Sequence, residues 1–193
     1  MAARKNIYCE KPAGADVAGV KRLMRAGERA DTSKTIQFGF QQRFSPEYLT
    51  ALDIIRSGRI GNLTMMISYW ILGGLPPQEF KSPYPPEEQK IRHWGMFRET
   101  SGGPIVEQDC HGVDVLNWYA NAHPVKAFGI GGNRYKQFGT WSSDHHNIIY
   151  TYPGGVEGWL LSIKFTADYR DVQVQIWHWQ PTTRWVVRNT SIC

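Results

Sequence analysis

The sequence predicts an α+β fold, a mixed and largely antiparallel sheet with helices on one face, preceded by a short α/β segment. Three observations carry that reading. Residues 5–40 run strand, helix, strand; the chain after residue 122 is dominated by strand-like stretches; and two helical patterns are inserted before it. The 193 residues suffice for one sizeable core, and the length favours one domain, or one and a fraction.

NIYCEKP reads as the end of a strand, because its β-branched and aromatic residues stop at Glu10-Lys11-Pro12. Asp16 then caps a helix that ends near Gly27, and TIQFGF alternates as a strand. SPEYLTALDIIRSG carries helix signals at both ends: Ser45 as N-cap, Pro46 in the first turn and Gly58 past the end. GNLTMMISYWIL is rich in β-formers and predicts a long strand. Residues 73–98, with five prolines, predict a long structureless loop of the kind that forms a lid or an arm on a partner. A helix over 101–119 follows. PVKAFGIGG, HNIIYTY, VEGWLLSIKF and DVQVQIWHW then predict strands, the second and third joined at Pro153-Gly154-Gly155 as a hairpin.

The net charge of +5 is concentrated before Thr35, where eight basic residues face four acidic ones. Lys21, Arg25 and Arg29 recur at helical spacing, as on a solvated helix face. The absence of a basic run interleaved with aromatics, or of a zinc-finger spacing, argues against nucleic acid. No stretch approaches the length of a membrane span, and three cysteines without a CxxC suggest neither a disulfide framework nor a structural zinc site. A cytoplasmic setting fits this composition.

SGGPIVEQDCHGVDVLNWY holds the chemistry. On one continuous helix, at roughly 100° per residue, Glu107, His111, Asp114 and Trp118 would fall within about 60° of arc. A carboxylate one turn from an imidazole can orient the ring and raise its pKa, preparing a general base. The same spacing also fits a half-buried histidine beside two solvated carboxylates, or a metal shared by Glu107 and His111. Asp144-His145-His146 offers a second, weaker metal reading, because adjacent strand residues point to opposite faces.

Several of these segments together resemble the Gfo/Idh/MocA oxidoreductases: NIYCEKP, FGFQQRFSPEYLTALDIIRSGRIGNL, HWGMF, SGGPIVEQDCHGVDVLNW and HPVKAFGIGG. The resemblance covers roughly residues 5–165. It implies hydride transfer between NAD or NADP and a sugar, polyol or similar hydroxylated substrate. It implies that residues 1–34 are a remnant of a Rossmann dinucleotide-binding domain and 35–193 an incomplete substrate-binding and oligomerisation domain. Lys11 and His111 become catalytic candidates with Glu107, which stands where the family usually has Asp. Asp114 and Arg43 become substrate-binding candidates, and Glu10, Lys11 and Pro12 cofactor-binding ones; no metal is implied. The family commonly associates through the open face of the second-domain sheet, which implies a homo-oligomer.

The sequence has no GxGxxG turn to hold a pyrophosphate, and the tail from about residue 177 resembles nothing in the family. The expectation is therefore an enzyme fragment with little NAD(P) affinity or turnover by itself. The alternative is a non-catalytic carbohydrate-binding or oligomerisation module.

Overall fold

The computed structural model describes residues 4–73, 81–134, 139–140 and 143–164, and the backbone of 171–178 and 185–188. Strand β1 (Ile7–Cys9), helix α1 (Val17–Glu28) and strand β2 (Ile36–Phe38) form a β-α-β unit with the two strands parallel. Asp16 caps α1 as the sequence predicts, its carboxylate accepting from the Gly19 amide at 2.5 Å.

Helix α2 (Pro46–Arg56) starts after Ser45 and turns its Tyr48, Ala51 and Leu52 inward, an i, i+3, i+4 stripe. Gly58 follows the helix with φ +73, where a side chain would be strained. Strand β3 (Leu63–Ile71) occupies the predicted position. The proline-rich stretch after it differs from expectation. Among its described residues are helix α3 (Pro86–Arg92) and a 3-10 turn at Trp94–Met96. Pro86 opens α3, Glu87 and Glu88 lie in its first turn and Lys90 and Arg92 in its last, so each charge complements the helix dipole. Residues 74–80 lie outside the described set.

Strands β4 (Lys126–Gly132), β5 (His145–Thr151), β6 (Glu157–Ile163), β7 (Asp171–His178) and β8 (Trp185–Arg188) complete a six-stranded sheet of order β4-β5-β6-β3-β7-β8. Every pairing is antiparallel except β3 with β6. This is the predicted mixed, largely antiparallel sheet. The hairpin at Pro153–Gly155 joins β5 to β6, as expected. Strand β8 falls within the tail that matched nothing at the sequence level.

The 101–119 segment is not one helix. It is α4 (Arg98–Ser101), a turn at Gly102 and Gly103 with φ +77 and +81, α5 (Pro104–Glu107), a break at Gln108 and Asp109, and α6 (Cys110–Ala120). Helix α6 lies on the sheet: Val115, Leu116 and Tyr119 join Tyr48, Met66 and Tyr152 in the core. Tyr119 Oη donates to the Tyr48 carbonyl at 2.9 Å, locking α6 to α2. Gly112 permits the close approach, since a Cβ there would lie 2.5 Å from Ser68 Oγ and 2.9 Å from Leu160 Cδ1.

The helix-covered face of the sheet buries Met66, Ser68 and Trp70 of β3 and Gly158, Leu160 and Ser162 of β6. The opposite face carries the alternate residues and leaves Phe128 and Ile130 of β4 exposed, at 69% and 63%.

Candidate active site

The β1–α1 loop packs against the turn between α4 and α5. A Cβ on Gly102 would run into the Ala15 carbonyl, so only glycine lets these segments meet. That contact carries Lys11 to the end of α5. Its ammonium donates to the Glu107 carbonyl and lies 3.5 Å from the Glu107 carboxylate. Both side chains are largely buried, at 17% and 18% exposure.

His111 lies in the first turn of α6 and is 2% exposed. Its ring stacks on Trp70, with centroids 5.1 Å apart and planes 8° apart, and meets Phe40 edge-on at 5.9 Å. Its Nδ1 is buried with no hydrogen-bond partner among the described residues. Burial, helped by the charge of Lys11, pushes its pKa down to about 4, so the ring is neutral at neutral pH.

This corrects the expectation of a carboxylate that orients His111 and raises its pKa. The break at Gln108 and Asp109 takes Glu107 off the α6 helix, and Glu107 partners Lys11 instead. Asp114 pairs with Arg43. Both its oxygens are held by Arg43, with Nε to Oδ2 and Nη2 to Oδ1 each at 2.8 Å, in the bidentate fork suited to guanidinium and carboxylate. The Arg43 guanidinium lies 5.0 Å from the Trp118 ring centroid, a cation–π contact that fixes the pair at the flank of α6. Glu10 is exposed at the end of β1.

A cleft of about 450 Å³ is lined by Pro12, Gly14, Phe40, Val106, Cys110 and Asp114 among others; Lys11, Glu107 and His111 adjoin its lining residues in sequence but do not line it themselves. The Cys110 thiol is pushed up to about 11, chiefly by burial, and is therefore protonated at neutral pH.

The sequence reading missed Asp109. It is fully buried and accepts from Ser162 Oγ at 2.6 Å and Lys164 Nζ at 2.8 Å on Oδ1, with His146 Nδ1 2.8 Å from Oδ2. Burial alone would raise its pKa, but these partners outweigh burial and hold it below the usual carboxylate value. Lys164 is 1% exposed, and burial lowers its pKa against the pull of Asp109. Two signals pointed this way. Aspartate favours an N-cap over a helix interior, and Lys164 continues the inward alternation of Gly158, Leu160 and Ser162, where a charge needs a partner.

The adjacent histidines divide as strand alternation requires. His145 Nδ1 lies 2.7 Å from Asp144 Oδ1, whereas His146 meets Asp109 and, through Nε2, Ser143 Oγ at 2.7 Å. Among the described residues no group of three or more His, Cys, Asp or Glu side chains is placed to hold a metal ion. No helix among them is long and apolar enough to cross a membrane.

Residues 48–180 match the model of the GFO/IDH/MocA C-terminal domain, so the chain belongs to the GFO/IDH/MocA family. A stretch of 62 residues is 42% identical to inositol 2-dehydrogenase of Acidothermus cellulolyticus, covering 32% of this chain and 18% of that protein. The fold resembles scyllo-inositol dehydrogenase from Lactobacillus casei, solved with NAD(H) and scyllo-inositol, at TM-score 0.68 and 19% identity, over 97% of this chain and 51% of that one. It also resembles the WlbA dehydrogenase of Bordetella pertussis, solved with NADH and UDP-GlcNAcA, at TM-score 0.74 and 18% identity, over 94% and 52%. The chain thus spans about half the length of these solved chains. Its matches cover less than a third of curated relatives.

Proposed function

We propose that this chain supplies the substrate half of an NAD(P)-dependent oxidoreductase acting on a sugar, polyol or similar hydroxylated compound. The observation that supports the reading is that Lys11 pairs with Glu107 and lies close enough for its charge to act on His111, although these residues come from distant parts of the chain. Residues 1–34 belong on this reading to the dinucleotide-binding domain, and 35–193 to the substrate and oligomerisation domain.

The residues here suit the nicotinamide end of the cofactor. Pro12 and Gly14 line the cleft, next to Lys11 in sequence, and the buried Nδ1 of His111 lacks a partner among the described residues. Bound there, the oxidised cofactor would accept hydride from the carbon bearing the hydroxyl. Lys11, steered by Glu107, stabilises negative charge on that oxygen. His111, neutral at physiological pH, takes the hydroxyl proton. The Arg43–Asp114 pair borders the cleft through Asp114 and orients substrate hydroxyls from its flank.

The test supplies a separately produced dinucleotide-binding domain of a family member to the purified chain. It follows NAD(P)H formation with inositols, hexoses and nucleotide sugars. Saturable turnover is expected with at least one class, and His111→Ala should lower kcat by about 10²–10⁴, the range of a general base. Turnover indifferent to His111, or none with any substrate, would defeat the reading.

The apolar open face, with Phe128 and Ile130 exposed, fits association with a second copy of the chain. Phe128→Lys together with Ile130→Glu is expected to convert the oligomer to monomer in light scattering; an unchanged mass would exclude this face. Free thiols at Cys9 and Cys110 suit a cytoplasmic setting, checked by fractionation of the source cells.

A further inference from the structure

The cluster around Asp109 lies outside the proposed reacting groups yet touches two parts of their support. Asp109 immediately precedes α6, two residues before His111. Its carboxylate is held by Ser162 of β6, by Lys164 just beyond β6, and by His146 of β5. The backbone that launches α6 is therefore tied to two strands at a single carboxylate. Lys164 reaches further: its ammonium lies 5.7 Å from the centroid of the Trp70 ring, on which His111 stacks. One charged cluster thus bears on the His111 backbone through Asp109 and on its stacking platform through Lys164.

We propose that Asp109, Lys164 and His146 act as positioning residues that hold His111 against Trp70 in its proton-accepting orientation. This rests on the reading of His111 as the base, but the positioning itself concerns only how the ring is held. An ordinary structural ion pair would stabilise the fold without governing the environment of the imidazole. The two roles can be separated, because the charges can be removed together.

The test uses the full 193-residue chain. Asp109→Asn combined with Lys164→Met removes both charges at similar volume and leaves no ammonium unpaired. The His111 ring is followed by nitrogen-15 NMR against pH in the chain without substrate or cofactor. The wild-type ring should titrate near pH 4. In the double variant its pKa should rise by about one unit or more toward the free value, as a ring released from its buried platform gains water. A folded double variant that keeps the wild-type titration would overturn the proposal.

If the double variant does not fold, Ser162→Ala removes one donor to Asp109 while keeping both charges. It should raise the His111 pKa in the same direction by about 0.3 unit, a twofold change in proton affinity. No movement in Ser162→Ala would overturn the proposal. With the dinucleotide-binding domain supplied, the double variant should lower kcat about tenfold with KM within twofold. A shifted titration with kcat unchanged would refute the base role of His111 and leave the positioning established, so the two readings fail separately.

Discussion

Asp109→Ala is expected to destabilise the protein by about 3–5 kcal/mol, the cost of breaking one side of a buried ion pair. The substitution leaves Lys164 at 1% exposure without its carboxylate partner, and removes the group that Ser162 and His146 address. A domain of this size commonly has about 5–15 kcal/mol in all, so the variant should lose a large share of its stability. The comparison with Asp109→Asn/Lys164→Met makes the mechanism testable. Buried pairs return little more than their desolvation cost, so removing both charges should cost far less than removing one. Urea denaturation of the single and double variants measures the difference. An Asp109→Ala protein within about 1 kcal/mol of wild type would mean that Lys164 sheds its proton or reaches water at little cost, and the cluster would lose its energetic importance.

Much of this architecture was legible from local signals. Ser45-Pro46 and Gly58 bracket α2 because a cap, a preset φ and a left-handed exit are each properties of a few adjacent residues. The β5–β6 hairpin announced itself through Pro153-Gly154-Gly155 for the same reason. Helix α3 was overlooked because five prolines suggested only a loop, although Pro86 followed by two glutamates is a helix start. The parallel pairing of β3 with β6 is of another kind: it joins residues about ninety positions apart, and no local pattern encodes it.

The candidate site divides along the same line. Glu107 and His111 stood out by residue type and spacing and Lys11 through the family resemblance; the fold pairs Lys11 with Glu107 and sets its charge near His111. Their partners were misassigned, because hydrophobic periodicity runs through residues 104–120 without marking a break. The break coincides with Asp109, a buried carboxylate whose partners lie 37–55 residues further along the chain, a tertiary contact that local periodicity does not encode. Asp114 and Arg43 were named separately as substrate ligands; their mutual pairing, 71 residues apart, required the fold.

The burial of His111 carries its own pH signature. Its folded pKa of about 4 lies below the unfolded value of 6.5, so between those limits the unfolded chain binds more protons than the folded one. Stability is therefore full above about pH 6.5 and falls as pH drops toward 4. The loss should reach about 3 kcal/mol, since each pKa unit corresponds to about 1.4 kcal/mol and the ring is almost wholly screened from solvent. Asp109 acts in a lower window. Its folded pKa is depressed below 3.8, so its contribution is present above that value and disappears only on further acidification. The two effects separate in urea titrations run from pH 7 to pH 3. His111→Gln, which cannot take up a proton in this range, should abolish the slope between pH 6.5 and 4 and retain the steeper loss below it. Parallel profiles for wild type and His111→Gln would show that the imidazole is not held neutral by burial.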